Sequence, residues 1–181
     1  MPKPQNAAAA SKAQAVSAIL PDNAVVLSFS NGVLDMAGLS GLPAGVSANQ
    51  LDGNDTDLKK LADLVPQSHP ISDLSLAAMS TAVHMEISGE VEAPIVLAFV
   101  GDDNSLSAHP VVSVRLQDGA SAVLAEWHQA AVGLSAPLTS IDIGAEARLN
   151  YAKVQRDSAI SAHLSATGVR LGKGSGFDGL G

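Results

Sequence analysis

The sequence predicts a mainly β protein, a right-handed parallel β-helix (β-solenoid) with a helical N-terminal lead-in, on three observations. Residues 109–129, 138–157 and 163–181 each read as an extended apolar run, a glycine turn and a second extended run. Their turn glycines Gly119, Gly144 and Gly172 are spaced by 25 and then 28 residues, a period typical of stacked repeats that bury one coil on the next. Within the runs side chains alternate, Val112, Val114 and Leu116 to one side and Ser113 and Arg115 to the other, as in strands. The composition is 46% hydrophobic but only 3% aromatic, so the core must be ladders of Ala, Val, Leu and Ile. The right hand follows from the general rule for parallel connections.

The elements follow in order. Residues 1–24 read as a flexible, partly helical arm in which Asn6 could cap an Ala-rich helix that Pro21 stops. The Ala-Gln-Ala at 13–15 has too short an apolar run before it for an export signal. Ala24–Phe29 and Gly32–Met36 are strands about an Asn31-Gly32 turn, and 42–46 turns into another extended piece. Residues 54–65 are expected to be a helix, capped by Asp55 or Thr56 and ended by Pro66. A second helix is expected over Ile71–Val83, capped by Ser72 or Asp73. The period then becomes that of strands: 84–87, a Ser88-Gly89 turn, and the apolar run Pro94–Val100. Residues 101–105 form a surface loop, and the repeats begin beyond it. The plan is one domain over 25–181, with a mixed α/β lead-in at 25–82 and β-helix coils at 83–181.

The 181 residues carry a net charge of −8, with Lys and Arg scattered singly apart from Lys59-Lys60. That argues against nucleic acid or an acidic membrane surface as partner. No run approaches the length of a membrane-spanning helix. The chain has no cysteine, hence no disulfide, thiolate ligand or thiol nucleophile, which fits a cytoplasmic protein.

Few residues carry recognisable site chemistry. Gly172-Lys173-Gly174-Ser175-Gly176 lacks the spacing of a phosphate-binding loop or a nucleophile elbow. His84 with Glu86, and Glu126 with His128, are pairs two apart on strands, so each pair leaves one face and could offer a metal an imidazole and a carboxylate. His109 or His163 could complete such a set if coils stacked them. No His-x-His cluster supports either pair, so both are read as solvated outer-face residues and no metal site is assigned. Trp127 is read as a core filler, with an interaction anchor as the functional alternative. Tyr151, Lys153, Arg148 and Arg156 could serve a polysaccharide-cleaving site, or form an ordinary exposed strand face.

Four stretches resemble the SufD-type proteins of iron–sulfur cluster assembly, in the SufB/SufD family. These are VVLSFSNGVLDMAGLSGLPAGV at 25–46, the helix, strand and Pro94-Ile95-x-Leu97 over 74–101, His-Pro-x-Val-x-Val-x-Leu-x-x-Gly-Ala-x-Ala-x-Leu-x-Glu over 109–128, and Ile-Gly-Ala-Glu-Ala-x-Leu-x-Tyr-x-x-Val-Gln over 143–155. The resemblance implies a β-helix, and a scaffold subunit that pairs with a SufB-type paralogue and a SufC-type ATPase. The family's N-terminal Trp-Lys-Tyr-Thr-like motif, its later coils and its C-terminal helical segment have no counterpart here. The chain is therefore expected to be a central fragment or truncated product, onto which no functional residue of the family is carried.

The expected function is accordingly a non-enzymatic scaffold of SUF-type assembly. It would hold no cofactor on this chain alone, and an iron–sulfur cluster only through a partner subunit. Self-association through the open β-helix end is expected as well. The alternatives are a β-helical polysaccharide lyase or hydrolase, or another β-solenoid binding module; a cupin-like metal barrel suffers from the missing His-x-His motif.

Overall fold

The structure, a computed structural model, describes residues 16–51, 69–102 and 107–181. The helix expected over 54–65, the first part of the 1–24 arm and residues 103–105 of the expected loop lie outside the described residues.

Short apolar strands separated by small turn residues wind into a β-solenoid with three strands per coil. The first coil is β4 (Thr81–Ile87), β5 (Ile95–Val100) and β6 (Ser107–Ala108). The second is β7 (Pro110–Leu116), β8 (Ser121–Gln129) and β9 (Gly133–Ser135). The third is β10 (Leu138–Ile143), β11 (Arg148–Gln155) and β12 (Ser161–His163), and a fourth begins with β13 (Ala166–Leu171) and β14 (Gly176–Leu180). Equivalent strands pair in parallel and build three sheets. Sheet A runs β14-β11-β8-β5 and sheet B β13-β10-β7-β4, while the short sheet C runs β12-β9-β6.

The N-terminal segment closes the first coil. β1 (Val25–Ser30) adds a parallel strand to β5, and β2 (Val33–Leu34) folds back antiparallel on β1. The turn between them holds Asn31 and Gly32 at positive φ, 53° and 81°, as a two-residue hairpin of this type requires. A 3₁₀ turn over Met36–Gly41 follows, with the Ala37 amide donating to the Asp35 carboxylate. β3 (Val46–Gln50) then pairs antiparallel with β4 and covers that edge of sheet B.

Helix α1 is shorter than the pattern predicted, Pro70–Ala77 rather than 71–83. Pro70 at its first turn makes His69 the cap residue, so neither expected cap holds that place: Ser72 is buried and Asp73 lies within the first turn. The Ser75 hydroxyl donates to the Ala136 carbonyl and pins the helix to the solenoid. Thr81–Val83, expected to be helical, belong to β4, where pairing with β7 outweighs local helical preference.

The repeat starts one coil earlier than residue 109, and its register differs from the glycine spacing. From Ala82 to Val111, Leu138 and Ala166 a coil takes 29, 27 and 28 residues. Leu116, Ile143 and Leu171 are stacked, so Gly119 is equivalent to Glu146 and Gly174, whereas Gly144 and Gly172 match Gln117. A Cβ on Gly144 or Gly172 would lie 2.6–2.7 Å from the preceding coil, so those two glycines exist for close backbone approach.

Inside, Leu27, Phe29, Met85, Ile87, Ile95, Leu97, Val112, Val114, Leu116 and Leu124 form one apolar core. Val112, Val114 and Leu116 are buried as their alternation predicts, and so are Ile141, Ile143 and Leu149, but in the last coil Val169 and Leu171 remain 38% and 56% exposed and Leu164 is half-buried. Val169 and Leu171 keep the stacking register of Ile141 and Ile143, yet among the described residues no strand lies beyond β13.

Candidate functional site

The inner face of sheet A changes character along the solenoid axis. In register, Leu97 of β5 is followed by Glu126 of β8 and Lys153 of β11, and Phe99 is followed by His128 and Gln155. The facing column of sheet B changes too, from Val83 and Val112 to Thr139 and Thr167. Along these columns the interior is hydrocarbon in the first coil and polar in the second and third, beside an apolar core that continues through Leu124, Ile141 and Leu149. Glu126 and His128 are 1% and 0% exposed, which corrects their expected placement on a solvated outer face. They share a face with Ala122 and Leu124, and that face is the core.

Such burial is tolerable only with charge partners. Glu126 Oε2 lies 2.9 Å from His128 Nε2 and 3.3 Å from Lys153 Nζ. Lys153 also donates to the Ser165 and Thr167 hydroxyls at 3.1 Å each. Burial pushes the Glu126 carboxyl upward, but the His128 hydrogen bond and the Lys153 charge outweigh it and hold the group at about 2. His128 is lowered, by burial first, with Lys153 and His163 adding to that and Glu126 opposing it. Tyr151, buried and close to the Glu126 charge, is raised and keeps its proton.

His128 also terminates a column of rings. Phe29, Phe99 and His128 stack at 5.0 Å centroid spacings, and His163 meets His128 edge-on at 4.7 Å. The His163 Nδ1 contacts Asp157 Oδ2 at 2.9 Å, while Asp157 accepts the Ala130 amide. The stacking expected of His163 is thus present. His109 is buried with its Nδ1 unpartnered, burial lowers its proton affinity, and it does not join the group. Among the described residues no set of three or more His, Asp or Glu side chains converges as a metal site.

His84 and Glu86 are on the outer face of sheet B, as expected, with Nε2 and Oε1 3.5 Å apart and both side chains partly exposed. His84 is steadied by the Ser113 hydroxyl at 3.1 Å. Glu86 starts a row of alternating charge across four coils, Glu86, Arg115, Asp142 and Arg170, which ends in a two-pronged Arg170–Asp142 pair at 2.9 and 3.0 Å.

Tyr151 and Lys153 point inward, whereas Arg148 and Arg156 leave the opposite side of β11; the four do not form one site. Trp127 is not a filler of the main core. It lies on the outer face of sheet A with Val16, Leu20, Val26, Ala98 and Val100, beneath the Arg156 guanidinium. Lys153, Asp157, His163 and Thr139, the partners that make Glu126 and His128 tolerable inside, were not linked to them by spacing. The available signal was parity, since Glu126 and His128 fall in step with Ala122 and Leu124.

These features define a parallel β-solenoid with an apolar core and, beside it, an interior column that turns from apolar to charged along the axis. Residues 99–180 match the family model described as SUF system FeS cluster assembly, SufBD core domain. That match supports SufB/SufD family membership over residues 99–180 and connects this region with iron–sulfur cluster assembly by the SUF system. No curated protein matches it. Among the described residues no helix is long and apolar enough to cross a membrane.

Proposed function

We infer that the chain acts as a SufD-like scaffold subunit of SUF-type iron–sulfur cluster assembly, without enzymatic activity of its own. Its partners are a SufB-type paralogue and a SufC-type ATPase, and it works in the cytoplasm. One observation carries the reading: a SufBD core domain is combined with a chain that has no cysteine. Iron–sulfur clusters are held chiefly by thiolates, so a member of this family without them contributes surface and shape, and the thiolates come from a partner. The cluster is then cargo of the complex.

The test is co-expression with SufB-type and SufC-type proteins, followed by affinity purification and anaerobic reconstitution with iron and sulfide. The complex is expected to copurify and to develop visible charge-transfer absorption, while the purified chain alone does neither. Stoichiometric iron on the chain alone, lost on replacing His84 or His128, would overturn the reading and turn the histidine–carboxylate pairs into a site.

A further inference from the structure

Two carboxylate–imidazole pairs meet inside the solenoid. Glu126 and His128 come from β8 in the second coil, Asp157 from the turn after β11 and His163 from β12 in the third. Their order in space is acid, imidazole, imidazole, acid, with contacts of 2.9, 4.7 and 2.9 Å, the middle one between ring centroids. The chain of contacts ties the inner face of sheet A to the outermost strand of sheet C. That strand is weakly held otherwise: β12 pairs with β9 over three residues only and has no strand on its other side among the described residues. The corner is fastened by Asp157 accepting the Ala130 amide and Ser158 donating to the Ala131 carbonyl.

We propose that Glu126, His128, His163 and Asp157 form an acid-released latch that holds β12 and the 157–160 turn against the second coil. With Glu126 ionised, His128 donates from Nε2, so its Nδ1 is the proton-free nitrogen. A second proton on the His128 ring must go to Nδ1, which is buried and has no hydrogen-bond acceptor. The resulting imidazolium would lie edge to face with the His163 ring at 4.7 Å, with the Lys153 ammonium 3.3 Å from the same Glu126 carboxylate.

Glu126 favours a proton on His128 and so opposes this, but burial outweighs it; the other groups around the ring do not offset it. Phe99 of β5 stacks on His128, Thr139 of β10 and Thr167 of β13 are neutral, and Tyr151 of β11 keeps its proton. The closed form therefore refuses protons that the open form accepts, and acid opens it. Opening exposes the polar interior of the third coil while the apolar first coil stays packed.

The measurement is amide hydrogen exchange on the full chain at pH 7.5 and 5.5, corrected for the intrinsic pH dependence of exchange. One imidazole that must gain a proton to open changes the opening constant by up to about tenfold per pH unit. Exchange over 157–165 is expected to rise by up to about tenfold, with 81–100 unchanged. His128→Gln is expected to flatten that dependence, and His163→Gln, which removes the ring contact, to raise exchange at both pH values. Asp157→Asn, a milder change at the partly buried end, is expected to raise exchange at both pH values. Equal protection at the two pH values, a rise shared by 81–100, or an undiminished pH response in His128→Gln would each overturn the latch.

Discussion

Glu146 stands one coil beyond Gly119 at the same turn position, and both have left-handed backbones, with φ of 57° and 70°. The hydrogen bonding repeats with them: the Gly119 amide donates to the Ala145 carbonyl and the Glu146 amide to the Lys173 carbonyl. A side chain in this region costs about 1–2 kcal/mol in local strain, partly offset by the chain entropy that glycine loses on folding. Glu146→Gly is therefore expected to stabilise the protein by about 0.5–1 kcal/mol, read as a higher urea midpoint. Gly174→Ala is expected to destabilise it by at least about 1 kcal/mol, because Gly174 has φ 71° and the Glu146 carboxylate occupies the place of a Cβ there.

The same turn shows what the sequence could and could not reveal. Val112, Val114 and Leu116 alternate so cleanly that the strand and its inner face follow from pattern alone. The register did not follow from glycines, because the left-handed position is filled by glutamate in one coil while Gly144 and Gly172 serve close approach. Glu126 and His128 misled in another way. Their polarity suggested water, their parity with Leu124 pointed to the core, and the partners that settle the question are brought in by stacking from other strands. Long-range pairing of this kind leaves no spacing to read.

Lys153 is the buried carboxylate's only cationic side-chain partner besides His128 among the described residues. Lys153→Met leaves Glu126 charged inside the solenoid and is expected to cost about 3–5 kcal/mol. Adding Glu126→Gln removes the charge but retains an acceptor for His128, so the double variant should recover more than half of the loss. Equilibrium denaturation of the two single variants and the double variant closes the cycle. Additive losses would show that the pair is not coupled.

The last coil gives β13 and β14 one neighbouring strand each among the described residues. Leu171 and Leu180 are 56% and 76% exposed there. Unpaired strand edges beside apolar side chains favour edge-to-edge association. The 181-residue chain is expected to show a mass above that of a monomer by light scattering at high concentration. Leu171→Lys with Leu180→Lys should lower it. A monomer at all concentrations would mean that these edges are already satisfied.

Trp127 is the only tryptophan, so its emission reports on the outer cluster of sheet A alone. Val16, 1% exposed, packs into that cluster with Trp127. Val16→Asp should free the Val16–Leu20 turn from the sheet and shift the emission to longer wavelength, with little change in the β circular-dichroism signal. An unchanged emission maximum would show that the turn does not shield the indole.

Acid should weaken the fold in two stages, because different groups release their stabilisation over different ranges. His128 binds its proton less readily folded than unfolded. The unfolded chain therefore takes up that proton first, and stability falls as pH drops below the ordinary histidine value of about 6.5. Glu126 contributes lower down. Its carboxyl is held at about 2 against an ordinary value of 4.5, so its contribution is complete above about 4.5 and is lost as pH falls from there towards 2. The difference corresponds to something on the order of 3 kcal/mol. Asp157, also lowered although burial opposes it, because His163 and the Ala130 amide favour its charged form, adds in the same direction. Denaturation midpoints measured from pH 8 to 3 should decline in both ranges for the native sequence. Glu126→Gln should be less stable at neutral pH and lose less on going from pH 5 to 3. If its acid slope matches that of the native chain, the stabilising charge lies elsewhere.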